Sequence, residues 1–420
     1  KIAVLTLDTF SVSSKLLATF HGHTSYVYSI DCRTFDDCQF ICSGSEDKTV
    51  RVWDIETNKQ SQSFNIHSGS VYCVKFSPYH YRSSRRNVVC SSSSDNTISF
   101  WDTTNNRQLQ LFNGHTLGVC AIEFSPFNGG RYLCSGSFDK SVRVWDIKTS
   151  KTLHVFNGHT DGVWCVDISP LQSNINNKAS SAGIIGGNGY TICSGSFDKT
   201  IRMWDIETTK QLIIFEGHQD WVNSVKYGSN ELGNIGGANT ILSGSNDKSV
   251  RLWDIRSGKQ IQEFCGHKHY VNVVEYSPFA MNNSMIGGSS NVICSGSFDK
   301  TIRFWDIRSN KKALYRIGGN NVIFCLKFFE SKKKENTNKN NNDYGINLCY
   351  EAHDETTLNQ IFFEISFDFS FYFIFLNFST HLFYLLITVS FLCFVERIGA
   401  CFQQKKILTL NSCNFKIIKF

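Results

Sequence analysis

At 420 residues the chain is too long for one ordinary small domain, and a single repeat domain followed by a tail is the simplest fit. Only 4 prolines, many Asn, Ser, Gly and β-branched residues, and no long 3.6-residue amphipathic pattern exclude a helical bundle and favour short strands joined by turns. A formal charge of +6 is small for this length, and the basic run Lys332-Lys333-Lys334 lies in an Asn-rich stretch, so nothing calls for direct nucleic-acid binding.

The chain opens at Lys1 with KIAVLTL, too short and poorly flanked for a secretory signal, and the missing initiator Met reads as a fragment or a truncated gene model. Residues 1–14 are expected to form an extension outside the folded repeats. Next, Lys15-Leu16-Leu17-Ala18-Thr19-Phe20 aligns with Lys210-Gln211-Leu212-Ile213-Ile214-Phe215 and reads as an outer strand with no inner strands before it. From there Trp-Asp recurs in one frame at Trp53-Asp54, Trp101-Asp102, Trp145-Asp146, Trp204-Asp205, Trp253-Asp254 and Trp305-Asp306. Gly-His alternates with it at Gly22-His23, Gly114-His115, Gly158-His159, Gly217-His218 and Gly266-His267, with Ile66-His67 as the variant. Within residues 158–215, Val163 to Ile168, Tyr190 to Ser196, Thr200 to Asp205 and Lys210 to Phe215 read as four antiparallel strands, with a turn at Phe197-Asp198-Lys199.

Paired marks at this period resemble the WD40 repeat of β-propellers over roughly residues 15–310. The resemblance implies an all-β, seven-bladed propeller with six clear blades and an incomplete seventh. In that family the Gly-His histidine, a strand Ser, the turn Asp and the Trp form one buried network, here His159, Ser194, Asp198 and Trp204 for a complete set. The physical need is plain, because a buried imidazole, hydroxyl, carboxylate and indole N–H each cost free energy unless paired. The His, Ser and Asp are not read as a hydrolase triad, since the set recurs blade after blade where an active site would occur once. The turn Asp is present in all six repeats, and the second repeat is the weakest, with Ile66 for Gly and Asn96 for Lys. Cys42, Cys90, Cys134, Cys193 and Cys294 occupy equivalent positions in different blades, too far apart to pair, and read as free thiols of a reducing compartment.

Propeller topology implies that strand 15–20 closes the ring by completing a seventh blade, degenerate over 318–360. Val322 to Phe328 and Ile346 to Cys349 would supply its first two strands. Its third strand is expected after Cys349, where only Asp354 and Thr356 keep the frame and the Trp-Asp is gone. The domain is thus bounded at 15–360. From 361 to 420 the chain is rich in Phe, Ile, Leu and Tyr, and Phe369 to Val395 holds no Asp, Glu, Lys or Arg. That stretch is a transmembrane candidate by length and apolarity. It also reads as translated non-coding sequence of an A/T-rich genome, which the composition favours, or as a buried extension of the domain. Four Asn-, Ser- and Gly-rich inserts, 171–189, 228–239, 280–291 and 331–345, read as tolerated loops on one face.

The opposite face is where propellers usually bind. Two registers should emerge there: the residue before each first strand (Tyr26, Ser70, Gly118, Gly162, Trp221, Tyr270) and the residue before each turn Asp (Glu46, Ser94, Phe138, Phe197, Asn246, Phe298). The partner-binding candidates are Tyr26, Glu46, Phe138, Phe197, Trp221, Tyr270 and Phe298, with Trp164 lining the channel. A second signal is Trp-Asp-Ile-Arg at Arg256 and Arg308, which resembles the box with which some WD40 proteins dock on the cullin-4 ubiquitin ligase adaptor. The expected function is a non-catalytic scaffold in a multiprotein complex, a monomeric propeller that binds proteins or peptides, cytoplasmic or nuclear. The alternatives are a ligase substrate receptor and a membrane-tethered propeller, the latter only if the tail is real. No cofactor, metal site or phosphate loop is expected.

Overall fold

The second strand of the fourth blade, Thr191–Ser196, is buried along its whole length, while the outermost strand, Gln211–Phe215, buries fully only its last residue. That gradient arises because inner strands are covered on both faces by the neighbouring sheets and outer strands are not. The computed structural model describes residues 2–7, 14–36, 38–169, 190–228, 239–277, 292–308, 312–330 and 346–351. All fall in the first of two units, Lys1–Phe367; the second, Asp368–Phe420, lies outside them. They build seven four-stranded antiparallel sheets, the blades of a propeller. Six blades are each one continuous meander, beginning at Val27, Val71, Val119, Val163, Val222 and Val271.

Local chemistry sets each meander. In the fourth blade Ser196 Oγ accepts the Asp198 N–H at 3.0 Å, and Asp198 Oδ1 accepts the Thr200 N–H at 3.0 Å. Between them Lys199 takes a left-handed φ of 70°. Asn96 takes φ 72° at the matching place, a conformation Asn tolerates better than most residues, so the Lys-to-Asn departure leaves the turn unchanged. The glycine of the Ser-Gly-Ser strand is set by the next blade: a Cβ on Gly195 would lie 2.6 Å from Val222 Cγ1, and one on Gly136 2.7 Å from Val163 Cγ1. The blades therefore press together, and one core cluster joins Val142, Val144 and Phe156 of the third blade to Val163, Ile192 and Trp204 of the fourth.

The seventh sheet corrects the expected boundaries. Its order is Ser14–Phe20, Ile2–Leu7, Ile346–Glu351, Leu326–Glu330. Ile2–Leu7 is thus its third strand, pairing Ile2 with Phe20 on one side and with Glu351 on the other. The expectation of an N-terminal extension over 1–14 is overturned for residues 2–7. The outer strand does have an inner strand before it, and the third strand does not come from the residues after Cys349. The first strand starts at Leu326, later than Val322. The physical reason is that Ile-Ala-Val-Leu-Thr-Leu is a β-prone run without Gly or Pro, and it pairs on both edges where the Trp-Asp segment is missing. The seam to the first blade is sealed by Ala18, Phe20, Val27, Ile30, Trp53, Cys325 and Cys349, and the Val27 N–H donates to Glu351 Oε1 at 2.7 Å.

The four inserts, apart from positions 228 and 239, and the 361–420 tail with its 369–395 apolar stretch lie outside the described residues. Among the described residues no helix is long and apolar enough to cross a membrane. One short helix, α1 (Pro78–Ser84), lies between the first two strands of the second blade, with Pro at its start and Ser77 as N-cap.

Candidate partner-binding face

In the fourth blade Trp204 Nε1–H donates to Ser194 Oγ at 2.8 Å, leaving the Ser194 hydroxyl to donate to His159 Nε2 at 2.8 Å. The imidazole proton therefore sits on Nδ1 and is donated to Asp198 Oδ2 at 2.8 Å. Burial lowers the His159 pKa against the pull of Asp198, so the ring is neutral. Burial alone would raise the Asp198 carboxyl, but the bonds from His159 and Thr200 and the Thr160 N–H hold it well below the usual carboxylate range. The same four-membered set stands at His23, Ser43, Asp47 and Trp53, at His115, Ser135, Asp139 and Trp145, at His218, Ser243, Asp247 and Trp253, and at His267, Ser295, Asp299 and Trp305. These are structural clamps, closed off from any substrate by their burial.

The second blade keeps His67, Ser91 and Asp95 linked at 2.8 Å each but loses the indole, since Trp101 Nε1–H donates to Asn106 Oδ1 at 3.2 Å. A Cβ on Gly114, Gly158, Gly217 or Gly266 would come 2.9–3.1 Å from Cη2 of the blade's Trp. Ile66 puts a branched side chain at that place, and Trp101 is displaced and half-exposed.

On the face where these turns lie, the two registers singled out from sequence are tied to each other within each blade. The Glu46, Phe138, Phe197, Asn246 and Phe298 N–H groups donate to the carbonyls of Tyr26, Gly118, Gly162, Trp221 and Tyr270 at 2.9–3.0 Å. The side chains then form an arc of rings. Trp221 stacks on Phe197 (4.0 Å between centroids), Phe197 on Trp164 (5.5 Å), and Trp164 meets Phe138 and Tyr72. Tyr72 meets Tyr28, and Tyr28 and Tyr26 meet Phe324. Phe324 meets Phe298, which meets Tyr270. Trp221 is 44%, Phe298 40% and Tyr270 38% exposed, whereas Tyr26, Phe138, Trp164 and Phe197 are half-buried. Gly162 makes room for the arc, because a Cβ there would sit 2.9 Å from the Phe138 ring. Between Trp221 and Tyr270 the arc gives way to amides: Asn223 Nδ2 donates to Asn246 Oδ1 at 2.7 Å, and Asn272 Nδ2 to the Ile323 carbonyl at 2.9 Å. Glu46 accepts a hydrogen bond from Ser25 Oγ, and its charge helps to raise the Tyr28 phenol, which burial chiefly drives to about 12.

Tyr28, Tyr72 and Phe324 were not among the sequence candidates, although they share the register of Trp164, the second residue of the first strand or of its lead-in. A second omission is a ring of charge deeper in the channel. Asp31, Lys75, Glu123, Asp167, Lys226, Glu275 and Lys327 hold one register in the seven blades. Lys75 reaches Glu123 at 2.6 Å, Lys226 reaches Glu275 at 3.5 Å and Lys327 reaches Glu275 at 3.1 Å. Burial would raise Glu275, but Lys226 and Lys327 hold it at about 2. Asp167 is driven to about 6, by burial and by the like charge of Glu123 against the pull of Lys226. A charged residue at the fifth place of six first strands, and at the matching Lys327 of the seventh blade, was the available signal.

The two arginines of the Trp-Asp-Ile-Arg segments are exposed at the ends of their third strands, and Arg308 Nε contacts Asp306 Oδ1 at 3.3 Å. The structure brings them to the edge away from the aromatic arc. Among the described residues no group of three or more His, Cys, Asp or Glu is arranged to hold a metal ion.

Comparison with known proteins agrees with this architecture. The family model described as WD domain, G-beta repeat matches residues 14–54, 58–102, 106–146, 150–205, 209–254 and 258–306. Among curated relatives, Superkiller complex protein 8 of Dictyostelium discoideum is 35% identical over 66 residues, which cover 16% of this chain and 22% of that protein. Guanine nucleotide-binding protein subunit beta-1 of Caenorhabditis briggsae is 36% identical over 76 residues, covering 18% of this chain and 22% of the relative. The chain thus matches only about a fifth of the length of either relative. WD40 propellers are generally non-catalytic and serve as protein-interaction scaffolds. With its family model matched in six consecutive segments, the chain belongs to the WD40 (WD domain, G-beta repeat) family.

Proposed function

We propose that this propeller is a scaffold that captures a protein or peptide partner on its aromatic face, with Trp221, Phe197, Phe138, Phe298, Tyr270 and Tyr26 as anchors, Trp164 at the channel mouth and Glu46 as a polar contact. The observation that carries this reading is the arc of ring contacts running from Trp221 to Tyr270. Rings held by one another lose little freedom on binding, and large rigid aromatics dominate interface energies. The curated relatives are named as a Superkiller complex protein and a guanine nucleotide-binding protein subunit, which supports membership in an assembly. Buried thiols at Cys42, Cys90, Cys134, Cys193 and Cys294 support a reducing compartment, cytoplasm or nucleus.

A second reading, docking on a ligase adaptor, is favoured by the exposed guanidinia of Arg256 and Arg308 at matching strand ends. One affinity-capture experiment separates the two. The double variant Trp221→Ala/Phe197→Ala is expected to lose partner capture with an unchanged Tm, while Arg256→Ala/Arg308→Ala captures as the wild type does. Loss confined to the arginine variant would assign the binding to the strand ends, and equal capture by both variants would place the partner surface elsewhere.

A further inference from the structure

At the end of the channel away from the aromatic arc, a polar cavity of about 290 Å³ opens beside the first strands of the first, second, third and seventh blades. Six charged side chains line it: Asp31, Arg33, Lys75, Arg82, Glu123 and Lys327. Four cations thus face two carboxylates. The carboxylates are already engaged, Glu123 with Lys75 at 2.6 Å and Asp31 through Oδ2 with the Phe76 N–H at 2.9 Å. Lys327 is held by Glu275 at 3.1 Å. The two guanidinia are left over, since among the described residues neither Arg33 nor Arg82 has a carboxylate within ion-pair distance or donates a side-chain hydrogen bond. They feel one another: burial lowers the Arg33 pKa, Asp31 opposes it, and the like charge of Arg82 adds to the lowering.

Both arginines stand on fixed supports. Arg33 lies on the first strand of the first blade, with its guanidinium 5.9 Å from the centre of the Phe35 ring. Arg82 is carried by α1, which Ser77 caps and which Tyr81 ties back to the first blade through a 2.8 Å bond to Asp36. The third blade closes the wall, with Gly129 at φ 66° against the Arg82 stem and Gly130 at φ 82° against Pro78. Two guanidinia that line one cavity with no carboxylate in ion-pair contact keep their forks free, and a doubly charged, three-oxygen group that accepts from both satisfies them best. A carboxylate carries only half that charge.

We propose that this mouth of the channel binds a phosphate monoester, its phosphoryl group clamped between Arg33 and Arg82. The ester's source is either a small phosphorylated metabolite or a phosphorylated side chain of a protein.

The test is calorimetric titration of the full chain with inorganic phosphate, O-phosphoserine and a phosphoserine peptide alongside its unphosphorylated form. Expected are binding of the phosphorylated probes alone, weakening of about tenfold or more for Arg33→Gln or Arg82→Gln, and no change for Arg256→Gln. A peptide that binds far more tightly than O-phosphoserine points to a protein source, and equal affinities to a small metabolite. Should the double variant Arg33→Gln/Arg82→Gln, made alongside the single ones, fail to fold, Arg33→Lys/Arg82→Lys keeps the charge and removes the forks, and is expected to fold and bind more weakly. No heat at millimolar phosphate, or wild-type affinity in folded double variants, overturns the proposal.

Discussion

The second and fourth blades share strand order, turn geometry and the histidine–aspartate bond, yet they hold their tryptophans differently. In the fourth, Gly158 leaves the edge of Trp204 free to lie against the backbone, Arg202 flanks it, and the indole reaches Ser194 at 2.8 Å. In the second, Ile66, Ser92 and Ser99 stand where the fourth has Gly158, Gly195 and Arg202, and Trp101 turns to Asn106. Ser92 carries a buried hydroxyl with no partner among the described residues. The network is therefore two devices. One is a His-Ser-Asp clamp that sets the turn and survives all these changes, and the other is an indole lock that depends on a glycine from the preceding loop. The Phe64–Trp101 ring contact, 5.5 Å, persists beside 5.7 Å for Phe156–Trp204, so apolar packing does not require the lock.

Acid attacks the clamp that the blades have in common, and we expect the largest effect there. His23, His115, His159, His218 and His267, together with His80 at about 4, are held below the ordinary imidazole value, chiefly by burial. A lowered imidazole contributes stability that is complete above the unfolded value of about 6.5 and is lost as pH falls below it, because the unfolded chain then binds more protons. Asp167 at about 6 and Glu351 at about 8 act in the opposite sense, losing stability as pH rises. We expect the imidazoles to dominate, so that the urea midpoint falls between pH 7 and pH 5. A midpoint that rises or stays level would show that the two raised carboxyls offset the imidazoles.

Gly158→Ile should turn the fourth blade into a copy of the second. Trp204 is expected to leave Ser194 at a cost of about 2–4 kcal/mol, read from denaturant unfolding, with a red-shifted emission from the exposed indole. Unchanged emission would mean that the glycine does not govern the lock. A smaller, sharper comparison pairs two serines. Ser194→Ala removes the partner of both His159 and Trp204 and should cost about 1–3 kcal/mol, whereas Ser91→Ala removes the partner of His67 alone and should cost about half as much. Equal losses would show that the indole bond adds nothing to stability.

Much of the fold could be read along the chain because its determinants recur in one frame. The turn Asp binds the hydroxyl two residues on, as Asp198 does Thr200 at 2.6 Å, and such contacts leave a mark in every repeat. The facing registers of Tyr26 with Glu46 and Tyr270 with Phe298 followed from the same frame. Ile2–Leu7 escaped notice because its turn partner and its Trp-Asp are absent, leaving only an apolar run with no punctuation. Tyr28, Tyr72 and Phe324 carry no mark in the sequence, because an alternating strand gives no sign of which inward residues meet across a channel. Arg33 and Arg82 lie 49 positions apart in different repeats, and nothing in either segment marks the other.

By itself the sequence determined the repeat, the turns, the buried clamps and the family, since each rests on residues close enough in the chain to be selected as a unit. Only the tertiary structure decided how the ring is sewn, with strands from both ends meeting where the Val27 N–H reaches Glu351, 324 positions away. It alone decided which rings touch and how seven separate charges converge in one channel. The reason is geometric: curvature accumulated over seven twisted sheets brings distant residues together, and that sum of small rotations leaves no local pattern to read.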